Sequence, residues 1–251
     1  KYTSSGTQVF DLAGAANACN EFGSSVDRFV NFYTTGPAPL SGSTYPFKVT
    51  KSNSAGTLLW SRTFDLGSAL IPQTSGIVAD DNGNVYVTCV AYPNYQAAKQ
   101  VFKLDSSGNL LWSASGFGGS HVAVNGAGTL LYAVGGVRYG EDFGNLTQLD
   151  PATGGVIWTR AGANMGNRIV FDANGVYTCT STGVKKYDGS GNLLWTSALP
   201  ASTTAYDLAT DGTHVFVTGQ KTTSSPGAKN VTGALHLSKT DSGGTTVWTT
   251  L

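Results

Sequence analysis

The side chains best suited to recognising a ligand are concentrated in two irregular segments between residues 92 and 143. Tyrosine rings stack on the apolar face of a sugar, and carboxylate, amide and guanidinium groups bind its hydroxyls. We therefore predict a binding surface for a glycan or a protein here, although Tyr92 and Tyr95 could instead only hold their own loop in place. The predicted ligand-binding residues are Tyr92, Tyr95, Arg138, Tyr139, Glu141, Asp142 and Phe143.

Hydrolysis of a glycosidic bond is the catalytic chemistry to weigh, and it requires two carboxyl groups facing one pocket. The chain has two glutamates, Glu21 and Glu141. Eight aspartates lie in turn sequences, where the carboxylate caps the backbone: Asp80, Asp81, Asp105, Asp150, Asp172, Asp188, Asp211 and Asp241. The acids left for catalysis are Glu141, Asp142 and Asp65, with Asp11 and Asp27 as further candidates. So few acids favour a non-catalytic protein, with a glycan-cleaving hydrolase as an alternative.

Metal and cofactor sites are not predicted. His121, His214 and His236 share no spacing, and the segments "DDNGN" and "DGSGN" lack the distal acid of a calcium loop. Cys19, Cys89 and Cys179 have no C-x-x-C spacing. We interpret the three cysteines as buried thiols, and one disulfide plus a free thiol remains the alternative.

The composition excludes some partners. Charged residues make up 12% of the chain, with 15 basic and 15 acidic side chains, so there is no electrostatic footprint for nucleic acid. No run of 18 apolar residues is present, so we expect no membrane insertion. A surface of serine, threonine and glycine is typical of proteins outside the cell, and we expect an extracellular or particle-surface location.

A repeat built on tryptophan sets the architecture that must position these residues. A glycine precedes each of the five tryptophans by four residues, and an Asp or Asn stands three or four residues before that glycine. Such a segment predicts a tight Asx turn leading into a strand that carries the Trp. The five tryptophans are Trp60, Trp112, Trp158, Trp195 and Trp248.

A second hairpin is predicted before each of the last four Trp hairpins. In each of these segments, alternating apolar and polar residues stand on both sides of an Asn-Gly, Asp-Gly or similar turn. Two hairpins make a four-stranded blade with strands a to d. We predict a single all-β domain over residues 1–251, a β-propeller of five four-stranded blades at about 7–66, 76–114, 121–160, 168–197 and 205–250. In the first blade, residues 7–14 are predicted as strand a and residues 27–35 as strand b, with at most one short helix at 13–22. Six blades would result if residues 1–45 contain a further blade.

The c–d segment "QLDPATGGVIW" resembles the PQQ-like, or quinoprotein-type, β-propeller repeat, and "VADDNGNVYVTC" resembles related bacterial repeats. The resemblance covers about four fifths of the chain. It implies that the five tryptophans dock neighbouring blades and are structural. It does not extend to the quinone, because quinone-binding members usually have eight blades and a vicinal disulfide, so we expect no cofactor.

Function is then expected in the loops that do not repeat. The c–d turns and most a–b turns are near-identical, whereas the b–c and d–a loops vary, and in a propeller the two sets open on opposite faces. We predict a non-catalytic module that binds a glycan or a surface protein through the variable loops. The alternatives are a structural or decoration subunit of a virion or surface appendage, which would pack against copies of itself, and the hydrolase named above.

Overall fold

The computed structural model describes residues 23–39, 46–65, 73–91, 98–116, 120–135, 143–163, 165–166, 168–222 and 233–250. These residues form twenty β-strands, and no helix lies among them. The strands form five antiparallel sheets of four, and each sheet keeps its strands in chain order. Within the described ranges, no helix is long and apolar enough to cross a membrane.

The strands of each sheet are named a to d in chain order. The first sheet contains β1 (Ser24–Val26), β2 (Phe32–Pro37), β3 (Phe47–Ser52) and β4 (Leu58–Phe64). The second contains β5 (Gln73–Ala79), β6 (Val85–Ala91), β7 (Ala98–Leu104) and β8 (Leu110–Ser115). The third contains β9 (His121–Val124), β10 (Leu131–Gly135), β11 (Phe143–Leu149) and β12 (Val156–Ala163). The fourth contains β13 (Arg168–Asp172), β14 (Gly175–Thr180), β15 (Gly183–Tyr187) and β16 (Leu193–Ala198). The fifth contains β17 (Thr203–Thr210), β18 (His214–Thr222), β19 (Gly233–Asp241) and β20 (Thr246–Thr250).

The start of the first blade differs from our prediction. Strand a of this sheet is β1, which pairs Ser24 with Thr34 and Val26 with Phe32 on β2. Residues 7–14, predicted as strand a, and residues 13–22, predicted as a helix, lie outside the described residues. The a–b turn is therefore formed by residues 27–31, which we had assigned to strand b, and its lack of a glycine is what hid it in the sequence.

The c–d hairpins are built as the sequence predicts. In the second blade, the Asp105 carboxylate accepts backbone N–H bonds from Ser107 at 2.9 Å and Asn109 at 2.8 Å. Gly108 follows at φ 83°, a conformation that costs a residue with a Cβ about 1 kcal/mol or more. The corresponding Asx residues of the other turns also accept backbone N–H bonds, and they are Asn53, Asp150, Asp188 and Asp241.

The chain divides into two compact units, residues 1–131 with 149–155 and residues 132–148 with 156–251. The first unit contains an apolar core shared by the first two sheets, in which Tyr33, Phe47, Val87 and Leu104 are fully or almost fully buried. The second unit contains a core shared by the fourth and fifth sheets: Tyr177, Cys179, Val184, Ala205, Leu208, Val215 and Val217. In both units the core lies between two sheets. The buried apolar side chains therefore project from the faces of the blades rather than from their edges.

Candidate functional site

Four of the five tryptophans link one blade to the c–d turn of the next. The indole N–H of Trp60 donates to the carbonyl of Ser106 at 2.9 Å, and that of Trp112 donates to Pro151 at 3.1 Å. In the second unit, Trp158 and Trp195 donate to the carbonyls of Gly189 and Ser242 at 3.1 and 3.0 Å. Each of these four rings lies against the glycine of the turn it contacts: Gly108, Gly154, Gly191 and Gly244. Trp248 is the most exposed of the five at 38%.

A buried lysine, not singled out from the sequence, pairs with Trp112 on the neighbouring strand. Lys103 is 9% exposed, its ammonium lies 5.3 Å from the Tyr86 ring centroid, and it donates to the Pro151 carbonyl at 2.8 Å. Burial lowers the pKa of Lys103, against the opposing effect of Asp80 and Asp150. Lys51 and Lys186 repeat the arrangement. A lysine stands two residues before the turn Asp or Asn in four of the five blades, and this spacing could have revealed its structural role from the sequence. Each of these cations donates to a backbone carbonyl of the next blade and so helps to hold two blades together.

The predicted ligand-binding side chains lie outside the described residues. This applies to Tyr92, Tyr95, Arg138, Tyr139, Glu141 and Asp142, and although Phe143 begins β11, its side chain is not described. Their role as a recognition surface stays a prediction.

Among the candidate acids, Asp27 has a structural role in the first a–b turn. Its Oδ1 accepts the backbone N–H groups of Phe29 and Asn31, both at 2.9 Å. Its Oδ2 accepts the Asn31 amide at 2.8 Å and the Tyr33 hydroxyl at 2.9 Å. Burial alone would raise the pKa of Asp27, but the hydrogen bonds from Asn31, Tyr33 and Phe29 lower it. A general acid needs a raised pKa, so Asp27 is removed from the catalytic candidates. Glu21, Asp11, Glu141 and Asp142 lie outside the described residues.

The thiols and imidazoles of the described residues do not converge. Cys89 and Cys179 are free and buried, and burial raises the pKa of each thiol to about 12, which makes both poor nucleophiles. The His214 ring lies 3.2 Å from Asp211 in an exposed turn, whereas His236 is completely buried on β19. Within the described ranges, no three of the His, Cys, Asp and Glu residues are grouped to hold a metal ion. Cys19 lies outside these ranges.

Buried His236 predicts a loss of stability on mild acidification. Burial, with the nearby charge of Lys221, lowers its pKa below the ordinary value of 6.5. The unfolded chain therefore takes up a proton that the folded chain resists, and the free energy of unfolding should decrease as the pH falls below about 6.5. Urea unfolding at pH 7.5 and 5.0 measures this, and the His236→Leu variant should show a smaller decrease over that interval. An equal decrease in both proteins would contradict the assignment. Turn acids with lowered pKa values, such as Asp27 and Asp105, also stabilise the fold, but their contribution to the free energy of unfolding is lost only at lower pH, where they become protonated.

The first a–b turn combines a frame shared with the second blade and an unusual tip. Asp80 in the second blade accepts the same four groups as Asp27, namely the N–H groups of Asn82 and Asn84, the Asn84 amide and the Tyr86 hydroxyl. The two turns therefore share one hydrogen-bonded frame. The three residues between its anchors are Asp81-Asn82-Gly83 in the second blade and Arg28-Phe29-Val30 in the first.

The Arg28-Phe29-Val30 sequence of the first turn exposes apolar surface and strains the backbone. Phe29 is 60% exposed and Val30 42%, and Val26 beside them on β1 is 51% exposed. The Arg28 guanidinium lies 4.7 Å from the Phe29 ring centroid, so an exposed cation covers part of the exposed ring. Val30 has φ 62° where Gly83 has φ 78°, a conformation in which a β-branched residue is strained by about 1–2 kcal/mol. We call Val26, Arg28, Phe29 and Val30 the first-turn tip.

Comparison with known proteins explains the repeated part of this structure. The model of one protein family, PQQ_2, described as outer membrane protein assembly factor BamB, matches residues 47–164 and 98–224. The chain belongs to this PQQ_2 family. The PQQ-like resemblance seen in the repeats is thereby confirmed. No curated protein matches the sequence.

Solved structures similar to this PQQ_2 protein show its fold. They include the Pan2 WD40 domain of Neurospora crassa (TM-score 0.61, 10% identity, 92% of this chain and 65% of that one). The β-propeller domain of the Trilobed protease of Pyrococcus furiosus matches with TM-score 0.55, 12% identity, and 91% and 70% coverage. A europium-containing methanol dehydrogenase matches with TM-score 0.53, 11% identity, and 86% and 61% coverage. The chain thus spans less than two thirds of the first and third of these. Together with the five sheets, these structural matches confirm the predicted all-β propeller of five four-stranded blades.

The first-turn tip lies outside the part of the chain that the PQQ_2 model matches, since the matched residues begin at 47. The tryptophans Trp60, Trp112, Trp158 and Trp195 lie inside it. The family match therefore covers most of the scaffold, whereas the first two strands, with the tip between them, precede the matched residues.

Proposed function

We propose that this chain is a non-catalytic β-propeller that binds a partner protein through the first-turn tip, outside the cell or on a particle surface. The observation that carries the proposal is the tip itself. Its frame is the same as in the second blade, where Asn82 and Gly83 make an unstrained polar turn, yet Phe29 and Val30 are exposed in a strained one. Backbone strain of this kind is common at functional sites.

The chemistry of the tip favours a protein over a glycan. A sugar needs several hydrogen-bonding partners for its hydroxyls, and Arg28 is the one charged or hydrogen-bonding side chain in the tip. An apolar pocket flanked by carboxylates would bury Phe29 and Val30 and pair with Arg28. The family description as an assembly factor also supports a protein partner. The alternative is that the variable loops bind a glycan through Tyr92, Tyr95 and Tyr139.

Site-specific photo-crosslinking tests the proposal. The photoreactive residue p-benzoylphenylalanine is placed at Phe29 and, as a matched control, at exposed Asn82, which occupies the same place in the second turn. We expect a discrete protein adduct at position 29 in cells of the source organism, no adduct at position 82, and loss of the adduct on Arg28→Glu. Equal adducts at both positions would contradict the proposal. An adduct with a second copy of the chain would instead support the structural-subunit alternative, and binding confined to glycans would support the loops.

Grafting the second turn onto the first separates binding from folding. The triple variant Arg28→Asp, Phe29→Asn, Val30→Gly should lose the partner and gain about 0.5–1 kcal/mol of stability, because relief of strain at position 30 exceeds the entropic cost of glycine. Urea unfolding and a binding assay measure the two effects separately. The reverse change, Gly83→Val, should destabilise the protein, because Gly83 has φ 78° and a Cβ there would lie 3.2 Å from that of Ser106. A graft that is less stable than the wild type would show that the tip serves folding.

A further inference from the structure

Among the described residues of blade five, two buried polar side chains have no hydrogen-bond partner. His236 on β19 is completely buried, and neither ring nitrogen has a hydrogen-bond partner in the described part of the chain. Thr203 on β17 is 7% exposed, and its hydroxyl likewise lacks a partner there. A buried polar group without a partner costs about 1–3 kcal/mol, so two in one blade indicate that something else occupies their hydrogen-bonding positions.

Strand pairing places both groups on one face of the blade with Lys221. Thr203 pairs directly with Lys221 on β18, and Lys221 pairs with Ala234 on β19. Directly paired residues share a face, and so do residues two apart on a strand, so His236 lies on the same face as Lys221 at the diagonal position. Diagonal neighbours are about 7–8 Å apart, within reach of a lysine side chain. Position 219, between them on β18, is a glycine and contributes no side chain.

The face carries positive charge without a matching acid. Its other described positions on the three strands are Ala205, Leu208, Thr210, Val215, Val217, Gly219, Ala234, Ser238 and Thr240, none of which is a carboxylate. Thr210, at the end of β17 away from Thr203, donates to the Asp172 carboxylate at 2.6 Å. Lys221 is partly exposed, so this end of the face can be reached from solvent. A lysine ammonium, a hydroxyl and an imidazole N–H are donors suited to the oxygens of an anion.

We propose that Thr203, Lys221 and His236 form a binding site for an oxyanion, either a carboxylate or a phosphate group. Lys221 supplies the charge, Thr203 donates its hydroxyl, and the His236 ring donates from the buried side. The site is independent of the first-turn tip and of the interaction proposed for it.

Titration of the wild-type protein with inorganic phosphate and with acetate, each against sodium chloride at equal ionic strength, tests the site. The readout is the imidazole NMR signals, which are few because the chain has three histidines. We expect one or both anions to shift the His236 signal saturably and to raise Tm, with the more effective anion identifying the ligand class. If neither anion moves the signal beyond the effect of sodium chloride, the proposal is overturned.

Matched variants in the same blade locate the anion. Lys221→Gln should weaken binding at least tenfold, whereas Lys239→Gln should change it less than twofold, because Lys239 lies on the opposite face against Phe216. Thr203→Val should weaken binding several-fold, and Thr218→Val, on the opposite exposed face, should not. Equal losses for the two lysine variants would show a general charge effect and overturn the assignment.

Discussion

Replacing Trp60 by alanine should lower the free energy of unfolding by about 3–5 kcal/mol, the range for removing a large buried aromatic side chain. Trp60 is 9% exposed, packs in the core of the first two sheets and donates its indole N–H to Ser106 in the next blade. The substitution therefore removes apolar packing and an inter-blade hydrogen bond at once. Urea unfolding followed by far-UV circular dichroism measures the change.

The neighbouring residue provides the control for this substitution. Leu59 is 50% exposed on the same strand, so Leu59→Ala should cost less than about 1 kcal/mol. Trp60→Phe should fall between the two, because it keeps most of the ring packing and loses the hydrogen bond. Trp248→Ala should cost less than Trp60→Ala, since Trp248 is 38% exposed. Equal losses at Trp60 and Leu59 would contradict a docking role for the tryptophan.

Asp80→Ala should have the second large effect, a loss of about 2–4 kcal/mol. The Asp80 side chain is 1% exposed and accepts two backbone N–H groups, the Asn84 amide and the Tyr86 hydroxyl. Alanine leaves those donors without an acceptor, and Tyr86 is itself completely buried. Chemical denaturation of both proteins at pH 7 gives the difference directly.

Asp105 is the matched control, because it accepts the same kinds of bonds from Ser107 and Asn109 in an exposed c–d turn. Water can replace the carboxylate there, so Asp105→Ala should cost about 1 kcal/mol. Asp80→Asn keeps one acceptor oxygen and should recover part of the loss. If the Asp80 and Asp105 variants were equally destabilised, burial of the turn would not be the source of the effect.

Both large effects concern the repeated Trp and turn pattern of the scaffold, and both proposed binding sites use residues outside that pattern. The first-turn tip departs from the repeat at Arg28, Phe29 and Val30, although its frame is kept by Asp27. The oxyanion site uses Thr203, Lys221 and His236, none of which belongs to the Trp and turn pattern. A disruption of binding at either site should therefore leave the blade-docking contacts intact.

The sequence alone determined the repeated elements. The spacing of Gly56 and Trp60, and of each later pair, predicted the c–d hairpins, because an Asx turn with a glycine at positive φ is a local property of a few residues. The Asn-Gly turn at 82–83 predicted a second hairpin in the same way. The predicted ranges of the last four blades consequently differ by at most three residues at either end from the strands observed.

Only the tertiary structure decided what depends on specific side-chain contacts. The first a–b turn was missed because Val30 occupies the position of a glycine, and side-chain hydrogen bonds from Asn31 and Tyr33 to Asp27, four and six residues away, hold it in that conformation against the residue's backbone preference. The role of Lys103 depends on a carbonyl 48 residues away. The grouping of Thr203, Lys221 and His236 likewise follows from strand pairing, which brings together side chains that no sequence spacing connects.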